Sequence, residues 1–300
     1  MIRKAVLTWR RFFLEPIAPH SLAVMRIALG GTLIALWFRY LPHVDSYFSD
    51  RGLALAYWEP QSGSLSMLLT HPPLGIALFL YGVLLIASIG ILLGWGLRCW
   101  SAVAAGLLVY FTLLSFHNFL ASWGRLLFFT LVILGMSGAD RTYSLRMRSE
   151  KGSWRAWEAV PAWPQRIIAI QIAATYLGVG LQKAYLPDWQ GGEILAYALV
   201  NGWSTPLAHV IAQWNLPIAV YDASVIAVKI LHGLLPIMLW MPRYQRYAFL
   251  AGATFHIGVT LMMGMWWFLL LIPLYAAFVD PKNIAELLKC WTVHKRPSTI

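Results

Sequence analysis

Arg26, Lys183, Asp222, Lys229, His232 and His256 all fall inside apolar stretches of helical length. Taking an ionisable group out of water is costly, so one in such a setting usually faces a protein interior and is a functional candidate by default. Lys183 stands in TYLGVGLQKAYLPDWQGGEIL, where Gly178 and Gly180 let another helix come close, Pro187 ends the helix just beyond, and Trp189 follows. A lysine at the mouth of a packed bundle loses the water that steadies its ammonium form. It can then act as a general base near neutral pH, toward an acidic hydroxyl or phenol arriving from the membrane. Asp222 and Lys229 are seven residues apart, two turns along one helix face, and His232 follows Lys229 by three.

Each of these residues also has a plainer reading. Arg26 serves as a counter-ion that fixes helix packing, Lys183 snorkels from a helix end to the interface, and Asp222 and Lys229 form a structural pair or line a solvated cavity. His232 and His256 join a polar interior. They lack the HxxxH or HExxH spacing that brings two imidazoles to one metal, and no metal site is expected.

The elements that position these groups must be membrane spans. Of 300 residues, 59% are hydrophobic and 12% are charged, the latter about half the usual share of a soluble domain. So little charge cannot wet a globular surface, and apolar runs recur from Ser21 to Phe278. Sixteen Trp and thirteen Tyr, many near the ends of these runs, fit the aromatic belts of a bilayer. The net charge of +11 is spread over the connecting loops rather than gathered on one domain, which argues against nucleic acid as a partner. The basic start MIRKAVLTWRRFF leads to no small-residue cleavage site, so the first span is expected to be its own uncleaved signal.

The expected fold is an all-α polytopic transmembrane bundle of about eight spans, near 20-38, 74-95, 99-116, 121-138, 166-184, 219-240, 247-264 and 265-279. The last two are joined by little more than Gly264, as a tight hairpin or a broken helix. With the N-terminus inside, cytoplasmic segments hold 17 of the 23 Lys and Arg residues. The opposite face holds Arg39, Arg51 and Arg125, and Arg26, Lys183 and Lys229 lie within spans. Both termini are therefore expected in the cytoplasm and Lys183 near the other face. Cys99 and Cys290 then lie toward the cytoplasm, where a structural disulfide is not expected. The connections 40–73 and 185–218 are aromatic and turn-rich, and the second is expected to lie on or dip into the outer leaflet. Without a linker or internal repeat, residues 1-300 read as one integral domain with no soluble C-terminal domain.

Three segments resemble a known family. Gly180-Leu181-Gln182-Lys183, followed by Asp188-Trp189 and a glycine, is similar to the segment of vitamin K-dependent gamma-glutamyl carboxylase that holds its catalytic lysine. Phe255 to Leu271, FHIGVTLMMGMWWFLLL, resembles a late membrane segment of the same group. The start, LAVMRIALGG followed by YFSDRG, looks like the HTTM (horizontally transferred transmembrane) domain that groups bacterial proteins with that carboxylase. The resemblance implies a lysine, here Lys183, that deprotonates a reduced quinone. Oxygen then turns the quinol anion into a strong base that removes a γ-carbon proton from the substrate, and CO2 adds. The carboxylase also uses a histidine in an early segment, to which FHNFLASWGRLL is the nearest stretch. Alignment there sets Trp123 rather than His117 near that position, with Arg125 as a source of positive charge.

The leading expectation is therefore a quinol-dependent enzyme of the bacterial inner membrane, with a reduced quinone, O2 and CO2 as its reagents and lipids as its surroundings. A different class is a non-catalytic accessory protein for the maturation, export or immunity of a small secreted peptide, or one working with a soluble partner. A transporter using Asp222 and Lys229 as an ion path ranks last, since no inverted repeat is visible.

Overall fold

Leu74–Leu93 is twenty residues without a charge, entered through Pro72 and Pro73 and closed by Gly94 at φ 66°. Sequences of this kind form helices whose side chains seek lipid or each other. The computed structural model describes residues 2–52, 71–115 and 122–293. Among them the chain is mostly helical. Five helices are long and apolar enough to cross a bilayer: His20–Phe48, Leu74–Leu93, Leu97–Leu114, Trp163–Tyr185 and Ile218–Trp240. Trp266–Phe278 with Pro281–Leu288 qualifies as a sixth only as a broken pair. Phe79, Leu181, Ile226 and Leu250 on these and neighbouring helices are each more than half exposed, which suits lipid and not water. The protein is an integral membrane protein.

Eight spans were expected, and the shortfall lies in three places. Gly124–Ser137 is a shorter apolar helix than a straight crossing needs. Gln245–Met263 has the length, but Gln245, Arg246, Thr254 and His256 dilute its apolar character. Residues 265-279 do not form one helix. A 3₁₀ turn at Trp266–Leu270, one α turn at Leu271–Leu274 and another 3₁₀ turn at Tyr275–Phe278 follow each other, with Pro273 removing a backbone donor among them.

The chain divides into two units, Met1–Gln165 with Val279–Ile300, and Arg166–Phe278. In the first, α1 (Ile2–Leu14) precedes α2 (His20–Tyr40), α3 (Val44–Phe48), α4 (Leu74–Leu93), α5 (Leu97–Leu114), α6 (Ser122–Ser137) and α7 (Leu145–Lys151). α2 packs on α4 and α6, and α4, α5 and α6 pack in chain order. Two short strands, β1 (Pro16–Ile17) and β2 (Val160–Pro161), pair antiparallel and tie the α1–α2 connection to the end of the loop after α6. At the far end, Trp37, Phe48, Tyr81 and Phe111 form an aromatic cluster, in which the Tyr81 hydroxyl donates to the Trp37 carbonyl.

The near end is organised by Arg26, whose side chain has no exposed surface. Its Nη1 donates to the carbonyls of Ile91 (2.8 Å) and Leu92, its Nε to Ala139 (3.1 Å), and its Nη2 to Tyr143 (2.6 Å). Ile91 and Leu92 lie in the last turn of α4, where Gly94 N also donates to the Ile91 carbonyl (3.1 Å) and where a cation meets the negative end of the helix dipole. Gly94 is required twice over. Its φ is left-handed, and a Cβ there would lie 2.9 Å from Arg26 Nη1 and 2.5 Å from Ser144 Cβ. Tyr143 is held at φ 46°, a conformation that costs a non-glycine residue about 1–2 kcal/mol. The bond from Arg26 to its carbonyl offsets that strain.

The loop after α6 is basic yet folded. Ser144 caps α7 by accepting from Met147 N (3.1 Å), Arg146 reaches Asp140 (3.2 Å) and Glu150 (3.0 Å), and Glu158 receives Lys151 (3.4 Å) and Arg141. Hydrogen bonds from Lys151 and then from Arg141 hold the Glu158 carboxyl below its usual range.

Two outcomes follow from this arrangement. Arg26→Met leaves buried carbonyls unpaired and should cost on the order of 3 kcal/mol or more, read as a lower thermal midpoint in detergent. Arg26→Lys should recover only part, because an ammonium lacks the guanidinium fork. For Glu158, a depressed folded value means that its contribution is complete above the unfolded carboxylate range and lost as pH falls through the folded value. Amide exchange across 141–158 should therefore quicken on acidification, and Glu158→Gln should remove that pH dependence.

Candidate functional site

The second unit begins with the greater part of α8 (Trp163–Tyr185). Tyr176, Gly180 and Lys183 stand four and then three residues apart, so they share one face of it. After a 3₁₀ turn at Pro187–Trp189 come α9 (Glu193–Ala198), α10 (Pro206–Ala212), α11 (Ile218–Trp240), α12 (Gln245–Met263) and the broken segment Trp266–Phe278.

The shared face of α8 meets the rest of the unit through polar atoms. The Tyr176 hydroxyl bonds His256 Nε2 on α12 and lies 2.5 Å from the hydroxyl of Tyr275. Gly252, one turn before His256, leaves the space that the Tyr275 hydroxyl occupies, where any Cβ would collide with it. Aromatic rings seal the group: Phe268 stacks on His256 at 5.9 Å and Phe249 on Tyr275 at 5.7 Å. His256 is 1% exposed, and its Nδ1 is buried without a hydrogen-bond partner among the described residues. One turn further along α8, Gly180 sits against His232, where an added Cβ would come within 3.0 Å of the His232 Cβ. Gly178, expected to share this role, has no neighbour near its Cβ position. His232 Nδ1 faces the Val228 carbonyl at 2.7 Å. A carbonyl only accepts, so Nδ1 carries the proton and Nε2 of the neutral ring is the acceptor.

Lys183 completes this face, half-buried, with Nζ 4.3 Å from the centroid of the Trp189 ring. The ring is placed by a tight turn: Trp189 N donates to Leu186 O (3.1 Å), while the Gln190 amide donates to the carbonyls of Ala184 and Leu186, both at 2.9 Å. Pro187 stops the helix, and Gln190 satisfies the carbonyls that the stop leaves open. Among the described residues no carboxylate lies within ion-pair distance of Lys183. The Tyr176 ring lies 5.8 Å from that of His232 and 6.0 Å from that of His256. Tyr176 thus joins His232, His256 and Tyr275, and Lys183, faced by Trp189, stands one turn beyond Gly180 on the same face of α8.

The remaining candidates are placed differently. Asp222 accepts from Gly192 N (2.7 Å), and Gly192 is pressed so closely on Tyr221 and Asp222 that a Cβ would lie 2.5 Å from each, so this carboxylate straps α9 onto α11. Lys229 is half-buried and makes no ion pair with Asp222, as two helical turns of separation require. Arg26 and Arg125 belong to the first unit, the former bound to its four carbonyls and the latter exposed on α6. His117 lies outside the described residues. Tyr176 and Tyr275 were missed in the sequence. The first carried a usable signal, since it is two turns before Lys183 on the face that Gly180 opens.

Tyr176→Phe tests the link between these elements. It strips one hydroxyl from between two buried polar atoms and should destabilise the protein by about 1–3 kcal/mol, read as a fall in thermal midpoint. Tyr275→Phe, at the end of the chain of bonds, should cost less.

The sequence matches the HTTM domain over residues 14–280. No curated protein and no solved structure matches the chain. The matched range runs from the end of α1 to the broken segment that carries Tyr275, and so includes both the Arg26 clamp and the Lys183 face. The chain belongs to the HTTM domain family.

Proposed function

We propose that this chain is a membrane enzyme related to the membrane domain of the carboxylase, in which Lys183 takes a proton from a lipid-soluble aromatic hydroxyl compound of the reduced-quinone class. The observation that carries the reading is the setting of Lys183: half-buried at the end of an apolar helix, with an indole face beside Nζ in place of a carboxylate. A carboxylate partner would trap the ammonium form and leave no base. An indole face holds an ammonium by about 0.5–2 kcal/mol, enough to steady the product of a proton transfer without fixing it.

The residues present fit such a compound. Trp189 offers a flat apolar wall and Nζ a single hydrogen-bonding group next to it. A reduced quinone, when bound, supplies the acidic hydroxyl and the electrons that O2 accepts, with CO2 the carbon to be added. Lys183 receives the hydroxyl proton at Nζ, Trp189 orients Nζ, and Gly180, one turn before Lys183, lets His232 pack against the same helix. The buried His256–Tyr176–Tyr275 bonds fix α8 so that Lys183 keeps its place. The loop charges support a topology with both termini in the cytoplasm and Lys183 toward the other face of a bacterial inner membrane.

Purification in mild detergent followed by mass spectrometry of copurifying lipids should find a quinone in the wild-type protein and little in Lys183→Ala. With vitamin K hydroquinone as reductant, Lys183→Ala should lower turnover by about 10² or more, while its thermal midpoint stays near that of wild type. Unchanged turnover in Lys183→Ala would remove the base role. A protein that never retains a quinone, yet still copurifies with a small secreted peptide, would favour the accessory class.

A further inference from the structure

α1 is not a span. It has thirteen residues, IRKAVLTWRRFFL, with four basic side chains and no acid. Val6, Trp9 and Phe13 recur at three and four residues, so they form one stripe. Lys4 and Arg11 lie opposite that stripe, with Arg3 and Arg10 on a flank. The stripe does not pack into the protein: Val6 is 50% exposed and Trp9 is 57% exposed. Trp9 and Phe13 meet at a tilt of 46°, ring centroids 5.5 Å apart, along one side of the helix.

The chain fixes where this helix must lie. Directly after α1, Glu15 O accepts from Ala162 N (3.0 Å), and Pro16–Ile17 pairs with β2, so the helix leaves from an anchored point. The span α2 begins at His20, six residues past the end of α1, which holds α1 at the level of the membrane surface. The same end of the first unit carries Arg98 and the folded loop with Arg141, Arg146 and Arg148, since α4 ends and α5 begins there beside Arg26. A basic, aromatic, amphipathic helix at this level has the composition of one lying in the interface plane, apolar stripe among the acyl chains and basic side chains among the headgroups. Its charge complements anionic lipid.

We propose that α1 is an interfacial helix that binds anionic phospholipid headgroups, with Val6, Trp9 and Phe13 inserted into the leaflet from which α2 enters the membrane. The proposal stands apart from the role of Lys183.

The test uses the full chain in nanodiscs of phosphatidylcholine, with or without phosphatidylglycerol, and a spin label at one introduced cysteine in a Cys99→Ser, Cys290→Ser background. Labels at Val6→Cys and at Thr8→Cys sample opposite sides of the helix and keep Trp9 intact. With phosphatidylglycerol, the label at position 6 should be severalfold more accessible to oxygen than to a water-soluble nickel chelate, and the label at position 8 the reverse. Replacing Arg3, Lys4, Arg10 and Arg11 by Gln should abolish the contrast, and raised salt should weaken it. A position 6 label open to the nickel chelate in both lipids overturns the insertion. One shielded from both reagents also overturns it, as protein and not lipid would then cover the stripe. Equal immersion with and without phosphatidylglycerol overturns the headgroup preference.

Discussion

A helix that ends within or beside a membrane leaves carbonyls that water cannot reach, and the first unit meets that constraint with one guanidinium. Arg26 gives its donors to the last turn of α4 and to the loop after α6 at the same time. The desolvation of a full charge is tolerable because four of the five N–H donors of the fork find a carbonyl oxygen. From this the local details follow: glycine at position 94, where both the φ and the guanidinium exclude a side chain, the left-handed Tyr143, and a basic loop that folds instead of spreading. An apolar residue at position 26 could pack, but it could not hold α2, α4 and the loop in one relation.

The second unit solves the same problem with neutral groups. Tyr176 is a donor and an acceptor at once, so a single hydroxyl can serve a histidine on α12 and a tyrosine on the broken segment. Glycine makes both approaches possible, Gly252 under Tyr275 and Gly180 against His232. Small residues at a membrane helix interface replace the hydrophobic drive that lipid cannot give. The result is a helix docked through a few polar bonds, with one half-buried lysine at its end.

The pattern of apolar runs was enough to read a helical membrane protein, and the boundaries of its strongest helices, such as Leu74–Leu93, are within two residues of those expected. The count was less legible, because composition averages over a window and does not see where Pro273 and the flanking 3₁₀ turns break a run. In the candidate site, Lys183 stood out by its neighbours: a glycine one turn before, a proline and a tryptophan just after. Its partnership with Trp189 depends on Gln190 closing the turn, which no spacing rule announces. Asp222 and Lys229 share a face by arithmetic. The carboxylate is nevertheless drawn to Gly192, thirty residues away in the chain, because a backbone donor at the start of α9 is nearer than a lysine two turns on. Tyr275 gave no signal at all, since its role is defined by a break in the helix.

The cations of the spans differ in what remains available to them, and this separates Lys183 from the rest. Arg26 is spent on carbonyls and holds its proton across any physiological range. Lys229 sits in the middle of α11, and among the described residues no aromatic ring faces its ammonium. Lys183 combines a position held by its surroundings, through the turn that carries Trp189, with the absence of a carboxylate partner among the described residues. A group that is fixed but unpaired is costly to maintain within a membrane. Structural roles for lysine tend to avoid that combination, by snorkelling to water or by pairing with an acid. At Lys183 Nζ is turned onto the Trp189 ring and no carboxylate among the described residues meets it, and that is the setting on which the proposed base role rests.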